Sequence, residues 1–382
     1  MIPYGRQDIS ESDIEAVVKV LRSDFLTQGP AVTRFERAVA DKVGASFALA
    51  TNSATSALHL ACLALDLGQG DLLWTTPVTF VASANCGIYC GAEVDFVDID
   101  PDTYNLCPTA LALKLEEAKR SGRLPKVVVA VHLCGQSCEM QALQALAEEY
   151  GFRLIEDASH AIGGKYLGRY IGGCQYSDIT IFSFHPVKII TTGEGGMALT
   201  NQPELDEKMR LLVSHGITRD PTKMTHGADG SWYYQQVALG FNYRMTDIQA
   251  ALGFSQLQRL DEYVDRRHVL AERYDQEFAN LPLKTPVRKT EGRSSFHLYV
   301  VRVGADRRGE IFEALRERGI GVNVHYIPVH TQPYYRDMGF KEGDFPESER
   351  YYQEAISLPL YPGLSLNDQN TVVAAVKELI PS

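Results

Sequence analysis

Along this chain, short runs of consecutive apolar residues alternate with longer stretches where apolar residues recur every third or fourth position. Ser10-x-x-Asp13 opens the first such stretch with a capping pattern, and Ile14, Val17, Val18 and Leu21 share one helical face. A second helix is expected over 34–43, after the turn-forming segment Leu26-Thr27-Gln28-Gly29-Pro30. Strands follow at 47–50, 72–75, 94–97, 127–131, 153–155, 179–182 and 197–199, with helices between them at 56–65, 80–89, 109–119 and 143–150. Such short apolar strands, spaced by helices, predict an α/β fold with a mostly parallel sheet covered on both faces. From about Thr246 the pattern changes. One long helical stretch carrying Ile248, Ala251, Leu252, Leu257, Leu260 and Val264 leads into a second alternation: strand 297–303, helix 310–318, strand 322–325 and helix 368–379. This predicts an N-terminal segment with a large domain over 1–255 and a smaller α/β domain over 256–382.

Charge and cysteine content narrow the classes. The chain has 382 residues and a net charge of -11, which argues against a nucleic-acid partner while leaving room for a local anion site. The polar, acidic start MIPYGRQDISESD lacks the features of a signal peptide, and no apolar run reaches the ~18 residues of a membrane span, so a cytoplasmic protein with no membrane partner is expected. The seven cysteines are scattered; Cys86/Cys90 and Cys134/Cys138 have no companion histidine pair, so no metal is expected and the thiols read as reduced.

Four segments carry candidate chemistry. Ser177–Gly196 runs from an apolar strand through Pro186 to Lys188 and the return Gly193-Glu194-Gly195-Gly196. A lysine just past a buried strand suits a Schiff-base lysine, because burial frees its amine near neutral pH; alone, it equally reads as a loop lysine. Asn52-Ser53-Ala54-Thr55-Ser56 joins a strand to a helix, where free N–H groups favour an anion, although plain N-capping by Ser53 or Thr55 explains the same residues. Asp157 ends the strand Leu154-Ile155-Glu156, where open sheets bind ligands, and can pair with a protonated pyridine nitrogen or with a nearby base. His160 reads either as a core histidine or as a partner for a cofactor's phenolic oxygen. Phe80 can stack on a flat ring or fill the core, and Ser183 can meet a phosphate.

The order of these parts, with Gly240-Phe241-Asn242-Tyr243-Arg244 added, resembles the DegT/DnrJ/EryC1 sugar aminotransferases over nearly the whole chain. The resemblance implies a fold-type-I pyridoxal-5'-phosphate enzyme. In it Lys188 and Asp157 are catalytic, and Ser53, Ala54, Thr55, Phe80, His160, Ser183 and Asn242 hold the cofactor. It also implies a homodimer with shared active sites, Asn242 reaching the partner's phosphate. Leu26-Thr27-Gln28-Gly29, Ser56, the segment around Val324-His325-Tyr326 and the closing Ser357-Leu358-Pro359 are most similar to transaminases of pseudaminic acid biosynthesis. The implied reaction is ping-pong: L-glutamate becomes 2-oxoglutarate, and the C4 ketone of a UDP-linked 4-keto-6-deoxy-N-acetylhexosamine is aminated. Tyr4, Leu26, Thr27, Gln28, Gly29, Ser56, His185, Asn323, Val324, His325 and Tyr326 are the substrate contacts that follow, and Arg244 is one candidate for the glutamate carboxylate. A UDP-4-keto-pentose aminotransferase and a non-catalytic cofactor-fold binding protein are the alternatives. Cys134 departs from the aromatic common at its place in the family.

Overall fold

The computed structural model describes residues 1–381. Helices α1 (Glu11–Leu21) and α2 (Pro30–Val43) precede strand β1 (Phe47–Thr51). There follow α3 (Ala54–Ala64), β2 (Leu72–Thr75), α4 (Ala82–Tyr89), β3 (Glu93–Phe96), α5 (Pro108–Ser121), β4 (Val127–Val131), α6 (Met140–Tyr150) and β5 (Arg153–Asp157). The sheet is completed by β6 (Ile179–Ser183) and β7 (Gly196–Thr200), with α7 at Pro203–Leu212. Among the described residues these seven strands form one sheet in the order β1-β7-β6-β5-β4-β2-β3. All neighbours are parallel except β7, which runs antiparallel to both β1 and β6.

Burial explains why the strand runs are apolar throughout. Every residue of Val127–Val131 is buried, as a strand covered on both faces requires. On β1 the alternation is visible: Ala48 and Ala50 join a core with Phe35 and Val39 of α2, while Leu49 packs with Leu58 and Leu60 of α3. Each large side chain so buried contributes about 1.5–3 kcal/mol.

Beyond the sheet come α8 (Asp247–Leu257), α9 (Leu260–Phe278), strand β8 (Tyr299–Arg302), α10 (Arg308–Glu317), α11 (Pro333–Arg336), α12 (Pro346–Glu354), β9 (Ala355–Leu358) and α13 (Leu366–Leu379). Strands β8 and β9 pair antiparallel. Leu270, Tyr274, Tyr299, Ile311, Ile356 and Val372 lie in one core, against which Ile2 packs.

Two expectations change here. The single helical stretch after Thr246 is two helices, broken at Gln258–Arg259. Arg259 there donates to Asp13 Oδ2 at 2.5 Å and to Asp8 Oδ2 at 3.1 Å, tying the break to α1. The segment 322–325 is not a strand. It touches β9 through one bridge, Asn323 to Ser357, and the N–H of Val324 is taken by Asn323 Oδ1 at 2.8 Å instead of a strand neighbour. All seven cysteines are free thiols, and among the described residues no helix is long and apolar enough to cross a membrane.

Candidate active site

A cavity of about 850 Å³ opens over the carboxyl ends of β5 and β6 and the N-terminus of α3. Its position follows from the sheet: neighbouring parallel strands release their chains at the same end, leaving a crevice there. Asp157 is the last residue of β5 and Ser183 the last of β6, and both line the crevice.

Lys188 enters the same cavity. Its loop is held rigid: Lys188 N–H donates to His185 O at 2.9 Å, Thr192 N–H to Phe184 O at 3.0 Å, and Phe184 N–H to Gly195 O at 2.9 Å. Burial pushes the Lys188 ammonium down to about 8, against the opposing attraction of Asp157. At pH 7 roughly a tenth of such amines are neutral, compared with fewer than one in a thousand for an ordinary lysine.

The start of α3 forms the opposite wall. Ser53 Oγ accepts the N–H of Ser56 at 3.1 Å, so Ser53 does cap the helix, and Ser56 Oγ donates to Asn52 Oδ1 at 2.7 Å. Ala54 and Thr55 line the cavity, and their first-turn N–H groups have no intrahelical carbonyl to bond. Gly196 lies opposite both Thr51 and Ser183. A Cβ there would fall 2.5 Å from the nitrogen of Ala54, so only glycine lets the sheet and the helix start close together.

Phe80 is on the wall with 59% of its surface exposed, which makes it a ring facing open space and not a core residue. Its centroid lies 6.2 Å from that of Tyr326. His160 is buried and paired on both sides. Its Nδ1 accepts the N–H of Cys134 at 3.3 Å, which fixes the proton on Nε2, 3.1 Å from the Tyr326 hydroxyl. Burial, then the charge of Lys188, hold His160 well below the usual imidazole range; the same two causes bring His325 to about 3. Burial also raises the Tyr326 phenol. These rings are therefore neutral at physiological pH.

The Cys134 position is a backbone hub. Its φ is 59°, its N–H serves His160, and its carbonyl accepts the N–H of His297 at 2.9 Å. Burial raises its thiol to about 12.

Tyr4, Ser56, His185, Asn323, Val324, His325 and Tyr326 also line the cavity. Tyr4 is brought there from the far end of the sequence by the Leu360 N–H, which donates to its carbonyl at 3.0 Å. Six expected residues are not in this cavity. Leu26, Thr27, Gln28 and Gly29 lie outside it because their loop is fastened to α8, with Gly29 N–H donating to Asp247 Oδ2 at 2.8 Å. Asn242 is exposed beyond the rim, its carbonyl 3.3 Å from Asn52 Nδ2. Arg244 also lies outside, donating to Ser214 Oγ at 2.7 Å.

His297 and Glu194 are wall residues the sequence reading did not single out as contacts. His297 Nδ1 is buried without a hydrogen-bond partner, a cost of about 1–3 kcal/mol unless a ligand meets it.

Comparisons with known proteins show which family the chain belongs to. The profile of the DegT/DnrJ/EryC1/StrS aminotransferase family matches residues 7–377. The chain is 42% identical to the spore coat polysaccharide biosynthesis protein SpsC of Bacillus subtilis, covering 99% of this chain and 97% of that one. It is 38% identical to the UDP-4-amino-4,6-dideoxy-N-acetyl-beta-L-altrosamine transaminase of Campylobacter jejuni, over 97% of this chain and 96% of the other. Among solved structures, the putative sugar aminotransferase Spr1654 of Streptococcus pneumoniae in its PMP form superposes with a TM-score of 0.92 at 31% identity, covering 99% of both chains. Helicobacter pylori PseC, an aminotransferase of pseudaminic acid biosynthesis, superposes with a TM-score of 0.90 at 32% identity, over 99% and 98% of the two chains. The donor set fits the cofactor these relatives use: a low-pKa lysine, a strand-end carboxylate and a helix start that a Cβ at Gly196 would fill. The chain belongs to the DegT/DnrJ/EryC1/StrS aminotransferase family and is a pyridoxal-phosphate-dependent sugar aminotransferase.

Proposed function

We propose that the protein moves the amino group of L-glutamate to the C4 ketone of a UDP-linked 4-keto-6-deoxy-N-acetylhexosamine. One observation carries the catalytic part: Lys188, Asp157 and the α3 N-terminus, from three separate strand ends, meet in one cavity. The choice of sugar draws its support from the altrosamine transaminase and PseC, each similar over nearly its full length.

Bound pyridoxal phosphate supplies a carbonyl that carries the migrating amino group and a ring that accepts electrons from the bond being broken. The protein does the rest. Lys188 Nζ would hold the cofactor between turnovers and, as a free amine, would take the α-proton of the amino donor and give it back. Asp157 would pair with the ring nitrogen and keep its proton in place. The N–H groups of Ala54 and Thr55, with the Ser183 hydroxyl, would receive the phosphate. Phe80 would stack on the ring, and His160, neutral with its proton on Nε2, would serve the phenolic oxygen.

Lys188 is the only lysine or arginine lining the cavity among the described residues. Two anionic ligands therefore need charge or donors from elsewhere. Leu26–Gly29, Asn242 and Asn52 form a continuous edge, joined by the bridges Thr27 to Thr246 and Thr51 to Arg244. In a homodimer this edge completes the partner's cavity, with Asn242 on the phosphate.

The test is product mass from a panel of UDP-4-keto sugars, each offered with glutamate and with other amino donors. Transfer confined to a 4-keto pentose replaces the hexosamine reading, and colour with no transfer to any sugar replaces the enzymatic one.

A further inference from the structure

Three polar side chains form a short relay in the cavity wall, Thr79 and Asp157 lining it and Ser83 behind them. Thr79, Ser83 and Asp157 are all buried, at 2%, 0% and 5% exposure. Ser83 Oγ lies 2.6 Å from Asp157 Oδ2, and Thr79 Oγ1 lies 2.7 Å from Ser83 Oγ. The direction of the relay follows from what each group can do. A carboxylate only accepts, so Ser83 spends its single proton on Asp157, and the Thr79 hydroxyl then donates to Ser83. The other carboxylate oxygen, Oδ1, accepts the N–H of Ser159 at 3.1 Å. Both oxygens are thus held from the protein side, which leaves no freedom to rotate the carboxylate plane. Asp157 itself lines the cavity.

Ser83 is well placed to act as a fixed point. It lies in the first turn of α4, and its N–H donates to Phe80 O at 3.2 Å, so the residue that fixes the carboxylate is bonded to the one on the ring face. We infer that Ser83, itself oriented by Thr79, is a positioning residue: it sets the plane of the Asp157 carboxylate so that a lone pair is aimed at the ring nitrogen of pyridoxal phosphate. This rests on the reading above in which Asp157 meets that nitrogen. A serine that merely tethers α4 to β5 would steady the fold but would be indifferent to which atom occupies that corner of the ring.

That difference gives the test. Apoprotein is titrated with pyridoxal phosphate and with its deaza analogue, in which a C–H replaces the ring nitrogen, and binding is followed by equilibrium dialysis. Ser83→Ala is expected to weaken pyridoxal phosphate by about tenfold, the size of one lost charge-assisted hydrogen bond, and to change the analogue by less than about twofold. Thr79→Val, which keeps the shape, is expected to give a smaller loss, about threefold, with the same selectivity; it carries the test if Ser83→Ala does not fold. In an Asp157→Ala background, Ser83→Ala is expected to add nothing. Equal weakening of both ligands, or of neither, overturns the positioning role while leaving Lys188 and Asp157 in place. Wild-type apoprotein that binds neither ligand overturns both that role and the reading it rests on.

Discussion

The floor of the cavity and the outer edge that we propose serves a partner copy are built differently. On the floor, Asp157 and Ser183 end buried strands and Lys188 follows within a turn, each in a backbone held by hydrogen bonds. The edge consists of loops. Leu26, Thr27 and Gln28 are exposed, Asn242 is exposed, and in the segment before it Trp232 and Leu239 keep 74% and 80% of their surface open. The floor can hold reacting atoms to within fractions of an ångström because its side chains start from a rigid sheet. The edge can vary in sequence without disturbing that sheet. On the proposed reading, chemistry common to many sugars is expected on the floor and the distinction between sugars on the edge.

The largest effect should come from removing the floor's amine. Lys188→Ala is expected to abolish cofactor absorbance at visible wavelengths and to lower turnover by about a thousandfold or more, read by spectrum and by product formation. An intermediate effect is expected from Gly196→Ala, whose Cβ would push on Ala54 N. Overpacking of this kind costs about 1–3 kcal/mol, so a lower Tm should accompany weaker cofactor binding, while exposed edge substitutions leave Tm unchanged.

The edge can be tested against the floor by mixing. Asn242→Asp should lower cofactor affinity by about tenfold or more. Co-refolding that variant with Lys188→Ala should restore about a quarter of the wild-type sites if the edge of one copy serves the floor of another. No recovery would return Asn242 to a structural role in its own chain.

A further effect concerns pH. The Lys188 amine titrates near 8 in the folded apoprotein and near the ordinary lysine value when unfolded. Between those values the unfolded chain binds more protons, so this residue makes stability rise with pH across about 8 to 10.4. Lys188→Met should flatten the rise, measured as the difference between the two Tm profiles of the apoproteins.

Much of the floor could be read from the sequence because a parallel sheet leaves clear marks. Val127–Val131 is apolar throughout, and Asp157 and Ser183 stand where such runs end. Ser83 left no comparable mark. It lies among small residues, Ala82, Ala84 and Asn85, and its importance comes from an aspartate brought beside it by the sheet. His297 reaches the wall because Cys134 holds its backbone from a distant loop. The break at Gln258–Arg259 contains neither proline nor glycine; ties from Arg259 to α1 mark the place. The direction of β7 was also hidden, since an apolar run reads the same from either end.

That reversed strand has a consequence for how the protein tolerates change. The parallel strands reach the cavity at their carboxyl ends, so the loops that enter them lie on the opposite side of the sheet and can lengthen without moving the strand's far end. β7 arrives by its first residue, Gly196, only eight residues after Lys188. That connection joins Lys188 to Gly196 directly and touches the cavity at Glu194, so an insertion between 189 and 195 would displace Gly196 and Lys188 together. Grafts and tags are better accommodated in the sheet's distant turns, and Lys188–Gly196 is the stretch whose length must be kept.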